Sequence, residues 1–133
     1  MNILVLGNGA REHALCFSIA KSDQLSKLFC APGNYGISKI AEVHNFEINN
    51  FDTLYDFCLA NKIDLVIVGP DVPLVNGVVD FLDSKKIMAF GPKKIPAGLE
   101  GSKIFMKDIC SKYNMPTAAY KSFTEKKLAC DYL

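Results

Sequence analysis

The chain has 133 residues, half of them hydrophobic, 22% charged, with a formal net charge of +1. That length holds one domain with a proper core, and that charge gives no general case for nucleic-acid binding. Charge is uneven all the same: residues 93–133 carry eight lysines against four acids, and residues 1–92 are net negative.

Ile3–Leu6 is an apolar run of strand length that does not alternate, so it reads as a strand buried on both faces. It ends in Gly7-Asn8-Gly9 and passes at once into helical spacing from Arg11 to about Lys21. Leu28–Ala31 is a second strand, closed by Pro32-Gly33-Asn34. Gly36–Ile40 is ambiguous, and Phe46–Ile48 is a candidate short strand. Asn50 or Asp52 can cap a helix carrying Phe51, Leu54, Tyr55, Cys58 and Leu59. Leu65–Val68 is the clearest buried strand and ends at Gly69-Pro70-Asp71. Helical spacing follows from Leu74 to about Lys85, then a strand at Ile87–Phe90 that stops at Gly91-Pro92.

Strands alternating with helices predict an α/β fold, a doubly wound parallel sheet with helices on both faces. Ligands of such sheets sit beyond the carboxyl ends of the strands. The turns Gly7–Arg11, Gly69–Asp71 and Gly91-Pro92 all fall there and can line one crevice. After Pro92 a helix is expected over about Ser102–Tyr113, with Ser102 or Gly101 as its cap and Phe105, Met106, Ile109 and Cys110 inward. Ala119–Phe123 reads as a strand and Thr124–Leu133 as the start of a helix. That last stretch is apolar-spaced with nothing after it to pack on, so the chain is expected to be part of a longer protein, with residues 124–133 poorly packed or leaning on a neighbouring copy.

The five cysteines form no C-x-x-C pair, and Cys16, Cys58 and Cys110, which fall inside apolar helical patterns, read as small core residues in a reducing compartment. No secretory leader and no run of transmembrane length is present, so a cytoplasmic location is expected, with neither membrane nor nucleic acid as partner.

The first glycine turn is the most informative stretch. Glycines admit a ligand close to the backbone, and first-turn N–H groups of a helix lack intrahelical acceptors. Arg11 adds a positive fork suited to phosphate. A dinucleotide fingerprint would need glycine where Glu12 stands and an acid at the end of the second strand, where Cys30-Ala31-Pro32 stands instead. A purely structural turn is the remaining alternative. His13 reads as a packing or capping histidine, and no His or Cys cluster has metal spacing. Asp71 can accept from sugar hydroxyls or can hold its own turn. Lys103 and Lys107 share one helix face, and Lys103 sits at the helix start, where phosphate oxygens are favoured.

Gly7-Asn8-Gly9-Ala10-Arg11-Glu12-His13-Ala14, Ala31-Pro32-Gly33-Asn34, Val68-Gly69-Pro70-Asp71-Val72-Pro73-Leu74, Phe90-Gly91-Pro92, Leu99–Lys107 and Met115-Pro116-Thr117-Ala118 occur in an order that resembles one family. It is phosphoribosylamine–glycine ligase, or glycinamide ribonucleotide synthetase, of the ATP-grasp superfamily. The resemblance implies a Rossmann-like substrate domain over residues 1–101. Residues 102–133 would be a linker helix and the start of a truncated ATP-grasp region. It implies ATP-dependent ligation of glycine to 5-phosphoribosylamine in de novo purine biosynthesis, through an acyl phosphate. ATP and magnesium or manganese are the implied cofactors, with the metal ligands outside this stretch. The implied partners are the small-molecule substrates, and the full-length enzyme would be a monomer. Gly7, Asn8, Gly9, Ala10 and Arg11 would then grip the substrate phosphate, Gly69, Pro70 and Asp71 the ribose, and Lys103 the ATP phosphates, with no catalytic base among them. Two departures stand out: the family has a second glycine where Ala10 stands and glutamate where Asp71 stands. A non-catalytic sugar-phosphate-binding module is the competing reading.

Overall fold

The computed structural model describes residues 1–132. Five strands, β1 (Asn2–Gly7), β2 (Lys27–Pro32), β3 (Glu42–Val43), β4 (Leu65–Val68) and β5 (Met88–Phe90), form one sheet in the order β3-β2-β1-β4-β5. Every pairing is parallel. The expected α/β architecture is therefore present. Strand order reverses at β1, which lies between β2 and β4, so the crevice favoured for ligands opens where β1 and β4 end side by side.

The helices are α1 (Ala10–Ile19), α2 (Phe51–Ala60), α3 (Asp71–Asn76), α4 (Val78–Ser84), α5 (Lys94–Gly101), α6 (Lys103–Lys112) and α7 (Lys126–Tyr132), with a 3-10 turn at Ile37–Lys39. The alternating residues of β1 divide the core. Leu4 and Leu6 join Phe29, Val66 and Val68 under α2, α3 and α4, where Leu54, Leu74, Val78 and Leu82 are buried. Ile3 and Val5 join Leu28 and Cys30 on the other face, under Cys16 of α1 and Ile37. Each side chain of this size stabilises the fold by about 1.5–3 kcal/mol on full burial. The second layer stops short. Leu65 and Ile67 are only partly covered, and Met88 and Phe90 are 57% and 71% exposed.

Asn50 caps α2 as expected, its Oδ1 accepting from the Thr53 N–H at 3.1 Å. Ser102 caps α6, accepting from the Phe105 N–H at 3.2 Å. Several expectations are corrected. The helix read from Leu74 to Lys85 begins at Asp71 and is two helices, broken at Gly77, whose φ of +97° is a left-handed geometry that glycine adopts without steric cost. Phe46–Ile48 is not a strand. Its apolar residues pack singly on the core, Phe46 against Phe57 at 5.1 Å, and the edge strand is Glu42–Val43. Ala119–Phe123 has no strand partner. The residues before Lys103 form a helix of their own, α5. The inward set expected of α6 is not buried, and Phe105 is exposed. Cys16, Cys30 and Cys58 are buried, but Cys110 only partly.

The chain divides into two compact units, Met1–Ala97 and Gly98 onward, with the boundary inside α5. In the second unit neither α6 nor the described part of the C-terminal segment contains a buried residue. Leu133 lies outside the described residues. No helix among the described residues is long and apolar enough to cross a membrane.

Candidate functional site

Two of the three turns expected at the crevice meet there. Gly9, Ala10, Arg11 and Glu12 at the start of α1, with Pro70 and Asp71 at the start of α3, line one open pocket of about 330 Å³. The backbone brings them together: Leu6 pairs with Val68, and the Gly69 N–H donates to the Leu6 carbonyl at 3.1 Å. Gly91-Pro92, expected to share this crevice, is not among the lining residues.

The loop after β1 is held from both sides. On the β2 side the Gly33 N–H donates to the Gly7 carbonyl at 3.1 Å, and Asn34 Nδ2 donates to the Asn8 carbonyl at 2.8 Å. On the β4 side, Arg11 Nη1 donates to the Gly69 carbonyl at 2.7 Å. One donor of the guanidinium is thus spent within the protein. Arg11 remains exposed, and its other N–H groups make no hydrogen bond to the described residues.

Glu12 is the residue that sequence reasoning missed. In the sequence it stands only as a mismatch to the dinucleotide fingerprint. The structure shows it 5% exposed, with Oε2 accepting from the Gly9 N–H at 2.6 Å. It occupies the third position of α1 after the N-cap Gly9. A glutamate three residues after the cap is the reaching-back half of a capping box, so the signal was there to be read. Of the loop amides expected to face a ligand, that of Gly9 is therefore taken by the protein itself. Those of Ala10, Arg11 and Glu12, the first turn of α1, have no acceptor among the described residues.

Glu12 also changes the charge of the site. A helix N-terminus carries about half a positive charge, less than one carboxylate offsets. With Asp71 exposed at the opening of α3, side chains around the pocket bring two negative groups against one positive. An anion here must be held by directed N–H donors and the Arg11 fork rather than by net field. Ala10 sits inside α1 without a left-handed φ, so the loop accommodates alanine at that position. His13 is half-buried with its ring against Gly36, where a Cβ would meet Cε1 at 2.8 Å, as expected for a packing histidine.

Lys103 opens α6 in the second unit and is exposed. It borders a pocket of about 380 Å³ lined also by Ile104, Lys107, Tyr120, Lys121 and Phe123. Lys107 is committed to the fold, its Nζ donating to Thr117 Oγ1 at 2.7 Å and to the Ala118 carbonyl at 2.9 Å. Lys103 has no hydrogen-bond partner among the described residues. No three His, Cys, Asp or Glu gather among the described residues in a way that could hold a metal.

The family model for the phosphoribosylglycinamide synthetase N domain matches residues 1–100. The chain belongs to that family. The chain is 50% identical over its whole length to the phosphoribosylamine–glycine ligase of Mesorhizobium japonicum, and 48% to that of Pasteurella multocida, covering 31% and 32% of them. It therefore spans about a third of the length of these curated relatives. Among solved structures, the phosphoribosylamine–glycine ligase of Thermotoga maritima matches 91% of the chain with a TM-score of 0.62 and 29% identity, and the match covers 27% of that protein. The phosphoribosylglycinamide synthetase of Anaerococcus prevotii superposes with a TM-score of 0.65 at 21% identity, a likeness of fold. In this N domain the glycine loop, Arg11 and Glu12 all fall within the matched residues.

Proposed function

We propose that this chain is the substrate-binding part of a phosphoribosylamine–glycine ligase. The full-length enzyme joins glycine to 5-phosphoribosylamine, with ATP converted to ADP and phosphate, in purine biosynthesis. Whole-chain identity of up to 50% to proteins of that name supports the reading. The observation that carries it is the convergence of the two motif loops, Gly9–Glu12 and Pro70-Asp71, on one pocket at the sheet's switch point.

In this reading the free amides of Ala10, Arg11 and Glu12 and the outward donors of Arg11 hold the substrate phosphate. Gly7, Asn8 and Gly9 shape the loop that presents them, and Gly69 and Pro70 carry Asp71 to the opposite wall. The Asp71 carboxylate accepts from ribose hydroxyls. Lys103 reaches ATP phosphates from the start of α6. Attack of an amine on an acyl phosphate calls for positioning and charge neutralisation rather than for a base in this pocket. The magnesium or manganese proposed for an ATP-grasp enzyme is held by residues outside this chain. Residues 1–101 serve as the substrate domain and 102–133 as the start of the linker to the ATP-binding part. The full-length enzyme is proposed to be a cytoplasmic monomer.

The test is steady-state kinetics of the full-length enzyme with Arg11→Met and Asp71→Asn. Each is expected to raise the KM for phosphoribosylamine at least tenfold while leaving the KM for ATP within twofold. Unchanged KM for phosphoribosylamine in both would refute the assignment of this pocket.

A further inference from the structure

Glu12 is the one buried charged side chain among the described residues. Its surroundings are unusual in being made of glycine. A Cβ on Gly7 would lie 2.6 Å from Glu12 Cγ, one on Gly9 would lie 2.9 Å from Oε2, and one on Gly69 would lie 2.7 Å from Cγ and Cδ. Each is below any real Cβ contact, so the three glycines are the walls of a slot that the side chain fills. Gly7 ends β1, Gly9 lies in the loop that follows it, and Gly69 lies in the loop after β4. Arg11, the preceding residue, grips the carbonyl of the same Gly69. Two successive residues of α1 thus tie one loop to the other, one by filling space and one by a hydrogen bond.

Burying a carboxylate costs several kcal/mol unless it is hydrogen-bonded. A serine or aspartate at position 9 would cap α1 without that cost. Glu12 does what such a cap would not: it reaches across to the neighbouring strand's loop. We propose that Glu12 is a positioning residue of the sugar-phosphate site, a strut that fixes the distance between the glycine loop and the Asp71 loop. By taking the Gly9 amide it leaves the next three amides as the ones that meet the phosphate. The inference rests on the pocket assignment made above.

Two measurements test it. In the full-length enzyme, Glu12→Asp is one methylene too short to reach the Gly9 N–H from its place. It is expected to raise the KM for phosphoribosylamine at least tenfold, with the KM for ATP and glycine within twofold. Glu12→Gln keeps the length and an accepting oxygen, and is expected to stay within threefold of wild type. Unchanged KM for phosphoribosylamine in Glu12→Asp, or equal loss in Glu12→Gln, overturns the strut. The second measurement needs no variant. In amide hydrogen exchange of the wild-type enzyme, Gly9 is expected to be protected before any ligand is added. Ala10, Arg11 and Glu12 gain protection only with ribose 5-phosphate. A freely exchanging Gly9 amide refutes the strut. A protected Gly9 with no response at 10–12 leaves the strut in place and refutes the sugar-phosphate reading instead.

Discussion

Replacing Gly69 with alanine tests the slot from its far wall. Gly69 does not have a left-handed φ, so the backbone accepts a side chain there and the effect is one of space. The new methyl would overlap Glu12 Oε1 outright and stand 2.7 Å from Cγ and Cδ, where ordinary contact begins at 3.4 Å. The Glu12 carboxylate must move by more than an ångström, and its 2.6 Å bond to the Gly9 N–H is lost or badly bent. A hydrogen bond to a charged group contributes about 1.5–3 kcal/mol. Overpacking of a filled site costs about 1–3 kcal/mol. The sum, roughly 2.5–6 kcal/mol, is a large part of the 5–15 kcal/mol typical of a domain. In urea unfolding the midpoint is expected to fall by about 2 M with little change in slope. The decisive comparison is a double-mutant cycle with Glu12→Ala. Once that side chain is gone, Gly69→Ala is expected to cost less than about 1 kcal/mol, a coupling of at least about 1.5 kcal/mol. A loss under about 0.5 kcal/mol in the wild-type background, or an equal loss in both backgrounds, would refute the reasoning.

Further outcomes follow from the core and from a cap. Asn50→Ala removes the acceptor of the Thr53 N–H and is expected to lower stability by about 1 kcal/mol in urea unfolding, while Asn50→Asp retains most of it. Burial pushes the Cys58 thiol up to about 11 from an ordinary value of 9.0. The folded chain therefore keeps that proton where the unfolded chain has released it. Its contribution is whole below pH 9 and is lost as pH rises through about 11. Unfolding free energy measured across that window is expected to fall less steeply in Cys58→Ala than in wild type. Mass-spectrometric alkylation of the native protein at pH 8 is expected to label exposed Cys130 well before Cys58.

The parts of the fold that could be read from the sequence are those whose burial leaves a local mark. β1 is sandwiched on both faces and β4 is covered fully on one face and partly on the other, so Ile3–Leu6 and Leu65–Val68 are unbroken apolar runs. β3 is an edge strand of two residues, and Glu42–Val43 carries no such run. Phe46 and Ile48 alternate as a strand would, but tertiary packing uses them one at a time. α5 contains Pro96, Gly98 and Gly101, residues that argue against a helix locally, yet Ala97 is buried in the core there. The site divided in the same way. The loops and Arg11 were visible as motif and spacing. The commitment of the Gly9 amide was not, because Glu12 was matched against a ligand-binding template and its reach back to Gly9 is a capping contact. Its second contact, with Gly69, spans 57 positions of chain, and no local pattern reports it.

The half-covered sheet face has a practical side. Leu65, Ile67, Met88 and Phe90 present oil to water where the layer containing α1 runs out. Because Met88 and Phe90 already spend most of their surface in solvent, exchanging them for threonine or lysine forfeits little of the folding energy. A crystallographer or protein engineer seeking a well-behaved preparation of residues 1–97 has two substitution sites there that leave the pocket between Gly9 and Asp71 untouched.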